Sequence, residues 1–315
     1  LRFLPKLQPT SQQRRRSGKG HIACPREAKE KLSGAELTMP GHKSTTRLQL
    51  AVAGLVAILG LGTTTPAWAI DCAKASDPID KKICGNAGLK AADAAMGQAY
   101  GALVKTAPDP EIRTMLINSQ RRWIAARNDW LGNGSGDAAV PAGEIRRAMI
   151  ARSARLGDRS EKGLIAQAQA QRHLLEKYTG GAFAGFNTSC EFIPDDREQK
   201  HYSYECSGVM HVQNKDRVCS SSAEWASWSI YMYYGVSTVE GDKVTPVALC
   251  SDQSGNVCSN GQENGWTREA ATDQHFPLPQ TSLPKLDAEN TTPLETTDAS
   301  WFDQCLTSPI YPPAQ

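Results

Sequence analysis

The chain has 315 residues, 22% of them charged and 40% hydrophobic, with 9 cysteines and a formal net charge of +2. That balance is uneven: residues 1–69 hold 11 Lys and Arg against 3 acidic residues, so without them the net charge is about −6. A chain that is acidic over its main length excludes nucleic acid as its partner.

Residues 1–38 are basic ("QQRRRSGKG") and lack apolar periodicity, and we read them as a basic leader or as non-translated sequence ahead of Met39. From Met39 the chain shows Lys43 and Arg47, an apolar run from Leu48 to Leu61, and "TTTPAWA" ending at Ala69. A basic start, a short apolar core and small residues at Ala67 and Ala69 make residues 39–69 a secretory signal peptide with cleavage after Ala69. The run of about 14 residues falls short of the ~20 that span a bilayer, so no membrane anchor is expected after cleavage. Ile70 and Asp71, in place of a small residue, precede Cys72, which excludes lipid attachment. The expected location is periplasmic or secreted.

Eight cysteines follow the signal: Cys72, Cys84, Cys190, Cys206, Cys219, Cys250, Cys258 and Cys305. An even set in an exported chain predicts disulfides. There is no CxxC pair and no closely spaced His and Cys set, so neither zinc nor a redox-active dithiol is expected, and no cofactor. Asp77 and Pro78 make a cap followed by proline at the first helical position, starting a short helix that returns Cys84 towards Cys72 as a stapled turn.

Leu89, Ala92, Met96, Ala99 and Leu103 recur at helical spacing and predict a second helix to about Lys105. Asp109, Pro110 and Glu111 start a third, running to about Trp130 with Ile112, Leu116, Ser119, Trp123 and Ala126 on one face. Gly132, Gly134 and Gly136 end it, and Ile145, Met149, Arg152 and Leu156 mark a fourth.

Cys72 and Cys84, Leu89, Asp93, Tyr100 and "QRRWIAARND" from Gln120 to Asp129 together resemble the N-terminal domain of the LprI-like lysozyme inhibitors, over about residues 70–160. The resemblance implies a lysozyme partner and an inhibitory, non-enzymatic function that protects peptidoglycan. The family commonly has a second cysteine pair, and Trp130 stands where its first member is expected. Leu89, Asp93, Tyr100, Gln120, Trp123 and Arg127 are the motif residues. A partner-binding patch is one reading of them; we favour an internal role, because Gln120, Trp123 and Arg127 share a helical face where Trp packs the core and Arg pairs with a carboxylate such as Asp93.

Residues 159–181 read as a helical connector, capped by Ser160 and stopped by Gly180 and Gly181. Beyond them alternation at Tyr202, Tyr204 and Cys206, and at Trp228, Ile230, Met232 and Tyr234, predicts strands, and "VEGDKV" around Gly241 predicts a hairpin. Cys250 and Cys258 flank a loop that a disulfide would close. Pro and Thr content from about Phe276 to Ala299 predicts an extended segment that returns to the body through Trp301, Phe302 and Cys305. Trp225, Trp228, Tyr231 and Tyr233, with Tyr234, form a candidate glycan platform, although such spacing also describes a core on the one buried face of a sheet.

No nucleophile elbow, HExxH or phosphate loop occurs, and the carboxylates of "PDDRE" at 194–198 read as a solvated loop, so an enzyme is not expected. The expected fold is α+β: a small disulfide-stapled α-helical bundle over 70–158, the connector, and a disulfide-rich antiparallel β domain over 182–315. The expected function is lysozyme inhibition in the envelope. The competing reading is a structural or glycan-contacting module that binds peptidoglycan without inhibiting anything.

Overall fold

The computed structural model describes residues 69–132, 140–195, 201–226, 229–252, 258, 266–268, 273–290 and 298–312. The leader, nearly all of the signal peptide, Trp228 and residues 196–198 of the acidic loop lie outside them. Among the described residues the fold is α+β, with six helices and one six-stranded sheet: α1 (Pro78–Cys84), α2 (Ala87–Lys105), α3 (Pro110–Gly132), α4 (Ala142–Gly157), α5 (Leu164–Glu176), β1 (Gly185–Pro194), β2 (Tyr202–Asn214), β3 (Arg217–Ala226), β4 (Ser229–Glu240), β5 (Lys243–Asp252), β6 (Trp266–Thr267) and α6 (Asp298–Thr307).

Local chemistry explains the helix starts. The Asp77 carboxylate accepts from the Ile79 N–H at 2.8 Å ahead of Pro78, and Asp109 accepts from the Ile112 N–H at 2.9 Å. Asn86 caps α2 by accepting from the Leu89 N–H at 3.1 Å. Ser160 does not cap α5. Asp158 takes the Ser160 N–H, Ser160 closes a turn onto the Gly163 N–H, and Gly163 becomes the cap residue. The predicted apolar stripes converge on one core, in which Leu89, Met96, Leu103, Ile112, Leu116, Trp123, Ile145, Met149 and Leu156 are buried.

All six strands follow one another in an antiparallel meander, β1 to β6. The hairpin at Gly241 turns through two residues, with Glu240 opposite Lys243 and a left-handed φ of 59° at the glycine. Three disulfides staple this half. Cys190–Cys206 joins directly opposed residues of β1 and β2, Cys219–Cys305 ties β3 to α6, and Cys250–Cys258 closes the loop after β5. The fourth, Cys72–Cys84, closes the turn at the start of the helical half.

Both faces of the sheet are covered over part of their area, where sequence reasoning expected one. On the first face Met210, Val212, Tyr234 and Val236 pack with Trp301 and Phe302 of α6. On the second, a row of mutually paired residues, Gly185, His211, Ser220 and Gly235, lies beneath the extended segment 276–284. The glycines mark its path. A Cβ on Gly235 would come within 2.8 Å of Pro277, and one on Gly185 within 2.8 Å of Leu283. Paired residues point to one face, so His211 and Ser220 lie under the same segment, bonded to each other at 2.6 Å.

Beyond the sheet this strap enters the helical half. Leu286 and Ala288 join the helical core, as do Phe192 and Tyr204 from β1 and β2. Arg122 holds Asp287 through two bonds of 2.8 and 2.9 Å, and Gln171 bonds both the N–H and the carbonyl of Asp287. Arg152 meets Glu289 at 2.6 Å with side chains 1% and 6% exposed, and also bonds Gln120 and Ser119. Helix α5 bridges the halves: Leu164 and Ala168 pack with the helical core, Leu174 and Leu175 with the sheet core.

Burial opposes ionisation of Glu289, but Arg152 and Ser119 outweigh it and hold the carboxyl below its usual range. Its stabilising contribution is therefore complete above about pH 4.3, the unfolded glutamate value, and is lost as pH falls through the lower folded value. Glu289→Gln leaves Arg152 buried without a counter-charge and should cost about 3–5 kcal/mol, read by urea denaturation at pH 7, with a smaller difference from the parent at pH 3. Gly235→Val should also lower the melting temperature, since the strap must lift from the sheet; an unchanged melting temperature would refute the close approach.

Candidate functional site

The motif residues of the helical half sit inside it. Trp123 is 1% exposed and meets Phe192 of β1 edge-on at 6.1 Å. Leu89 and Tyr100 are buried in the same core. Gln120 accepts from Arg152 beside Glu289. Arg127 pairs with Asp80 at 3.4 Å and bonds Asn128, so its hydrogen-bonding carboxylate is on α1 and is not Asp93. Asp93 instead accepts from the Ile70 N–H at 2.8 Å. All six of these residues are buried.

An open surface exists at the far end of the second sheet face, where the strap does not reach. Glu191, Ile193, Pro194, Ser203, Glu205, Glu224 and their neighbours line a groove of about 400 Å³. Strand alternation places Glu191 and Ile193 of β1 on the face of Gly185, and Ser203 and Glu205 of β2 on the face of His211. The floor is apolar and the rim carboxylate. Glu191 and Glu205 are direct cross-strand partners, an arrangement of like charges that destabilises a sheet until a cation is added. Among the described residues neither has a cationic partner, while Asp195 lies 3.6 Å from Arg147 and Glu224 3.1 Å from His275. Burial in the groove, with Asp195 nearby, pushes the Glu205 carboxyl up.

The aromatic residues are divided among different environments. Tyr234 lies in the core against Trp301 at 4.9 Å. Tyr233 is covered by His275, stacked at 4.9 Å with the rings 3° from parallel. Tyr231 is half-buried opposite Glu224. The Trp225 side chain and Trp228 fall outside the described residues. Of the four candidate platform residues the described side chains are Tyr231 and Tyr233, and strand alternation puts both on the second face of the sheet.

His211 and Ser220 are the one Ser–His contact among the described residues, and both are 1% exposed beneath the strap. Burial pulls the imidazole down to about 4, so it is neutral at ordinary pH. The pair is a satisfied internal hydrogen bond that substrate does not reach. No group of three or more potential metal ligands occurs among the described residues.

Residues 72–162 match the family model of the lysozyme inhibitor LprI. That is under a third of the chain and coincides with α1 to α4 and the turn before α5. No curated protein and no solved structure matches the chain. The LprI segment contributes Arg147 to the edge of the groove; the groove's carboxylates all come from outside it. Trp130, the residue at which the resemblance implies a cysteine, stacks on Phe192 with ring centroids 4.4 Å apart and 17° between planes, and lies 5.0 Å from the Tyr202 ring. An aromatic contact to the sheet thus stands at that position of the LprI segment. No local motif marks the groove, because which residues share it depends on strand register.

If Trp123 is a core residue, Trp123→Ala should lower stability by about 3–5 kcal/mol, measured by chemical denaturation. A partner-contact role would leave stability within about 0.5 kcal/mol.

Proposed function

We propose that the protein is exported to the periplasm or secreted after cleavage at Ala69, and that there it binds and inhibits lysozyme, protecting peptidoglycan. The observation that carries this reading is the match of residues 72–162 to the lysozyme inhibitor LprI. Four disulfides fit an oxidising compartment. No helix among the described residues is long and apolar enough to cross a membrane. The protein acts by binding and not by catalysis.

The LprI segment is the scaffold in this reading, and the acidic groove beside it receives the enzyme. Many lysozymes are cationic, and a Lys or Arg of the enzyme entering between Glu191 and Glu205 would relieve their repulsion. Charges at such a surface act mainly on the association rate and in a salt-dependent way. Truncation at residue 165 is a poor test, because Phe192, Tyr204, Leu286 and Ala288 complete the helical core. Point substitutions separate binding from folding.

The test is lysis of a peptidoglycan suspension by a c-type lysozyme, followed by turbidity, with the chain from Ile70 to Gln315 titrated in at two salt concentrations. Saturable protection that weakens with salt is expected. The Glu191→Gln/Glu205→Gln variant should melt no lower than the parent, since the like-charge repulsion is removed, and associate with lysozyme on the order of tenfold more slowly at low salt. Absence of protection at stoichiometric excess, against this and other lysozyme classes, would overturn the inhibitor reading. Retention on insoluble peptidoglycan in the absence of lysozyme would favour a glycan-contacting module in its place.

A further inference from the structure

Asp93 is a carboxylate in the interior of the helical half, 4% exposed. Its one hydrogen bond among the described residues is with a neutral donor, the Ile70 backbone N–H at 2.8 Å. Arg127 lies close enough to be felt electrostatically but spends its hydrogen bonds on Asp80 and Asn128. A buried carboxylate with one neutral donor is an expensive arrangement. The donor is not an arbitrary residue. Ile70 directly follows Ala67, Trp68 and Ala69, the small-residue processing site of the sequence. Two residues further on, the Cys72–Cys84 disulfide fastens this end of the chain to α1 and holds Ile70 against α2.

We infer that the Ala69–Ile70 bond is the processing site and that the α-ammonium of Ile70 is the counter-ion of Asp93. Water adds across the amide, the C–N bond breaks, Ala69 leaves as a carboxylate, and the Ile70 nitrogen is left as an ammonium at neutral pH, its ordinary pKa being about 8. One N–H donor becomes three, and a charge-assisted bond replaces a neutral one. Removal of the leader then completes the helical half, because the ammonium that hydrogen-bonds Asp93 does not exist in the uncut chain. The inference rests on the export reading and is independent of what the protein binds.

Two forms of the full mature chain test it, one starting at Ile70 and one retaining residues 66–69. The Ile70 form should melt about 4 °C or more above the extended form. Nα-acetylation of the Ile70 form, which removes the charge and leaves Asp93 in place, should bring it down to the extended form. Asp93→Asn should erase the difference between the two. Protein recovered from an exporting bacterial host should begin at Ile70 by mass spectrometry. Equal melting temperatures, a difference that survives acetylation, or a mature N-terminus at another residue would each overturn the inference. Protection from lysis, recorded on the same two forms, bears on the inhibitor reading alone.

Discussion

Glu289 meets Arg152 across 137 residues of chain, and the path between them determines most of the architecture. To reach Arg152, the segment after the last strand must cross the sheet over Gly235 and Gly185, turn past the β1 edge at Phe186, and enter between α3, α4 and α5. A buried ion pair of this kind contributes little net stability against an apolar alternative, yet breaking it leaves an uncompensated charge. It therefore acts as a check on register: Asp287 on Arg122 and Glu289 on Arg152 are satisfied together only when the strap lies in one position. The helical and sheet halves are joined by this strap, by α5 and by the aromatic contact of Trp123 and Trp130 with Phe192.

That route leaves one part of the sheet uncovered. Under the strap, polar residues such as His211, Ser220, Ser222 and Ser237 are buried. Past its edge, at His275, the same face carries Glu191, Glu205 and Glu224 beside Ile193. An interface whose charges are held in place loses less freedom on binding. Disulfide Cys190–Cys206 fixes the strand pair from which Glu191 and Glu205 project. The LprI segment packs against the other face of that pair.

Local features were legible in the sequence, and long-range pairings were not. Asp77 and Asp109 announce their helices because cap and proline chemistry acts within a few residues, and Gly241 announces its hairpin for the same reason. The stripe through Leu89, Met96 and Leu103 is equally local. Ser160 misled because a cap is a competition: Asp158, two residues earlier, claims the Ser160 amide. The sequence predicts that Arg127 pairs with a carboxylate such as Asp93, and the carboxylate is Asp80; helical spacing orders the residues of one helix but does not say which turn of a neighbour they meet. The strap carries no periodicity, so nothing in "LPKLDAEN" discloses that its acids enter a core of arginines. The groove stayed hidden for a related reason, as opposition of Glu191 to Glu205 is a property of register and not of composition.

Hydrogen–deuterium exchange with and without a c-type lysozyme reads whether the enzyme docks on the open end of the sheet. Docking there should slow exchange at Glu191–Asp195 and Ser203–Ser207 and leave α1 and α2 unchanged. Protection confined to the helical half, or none at saturating enzyme, would contradict it.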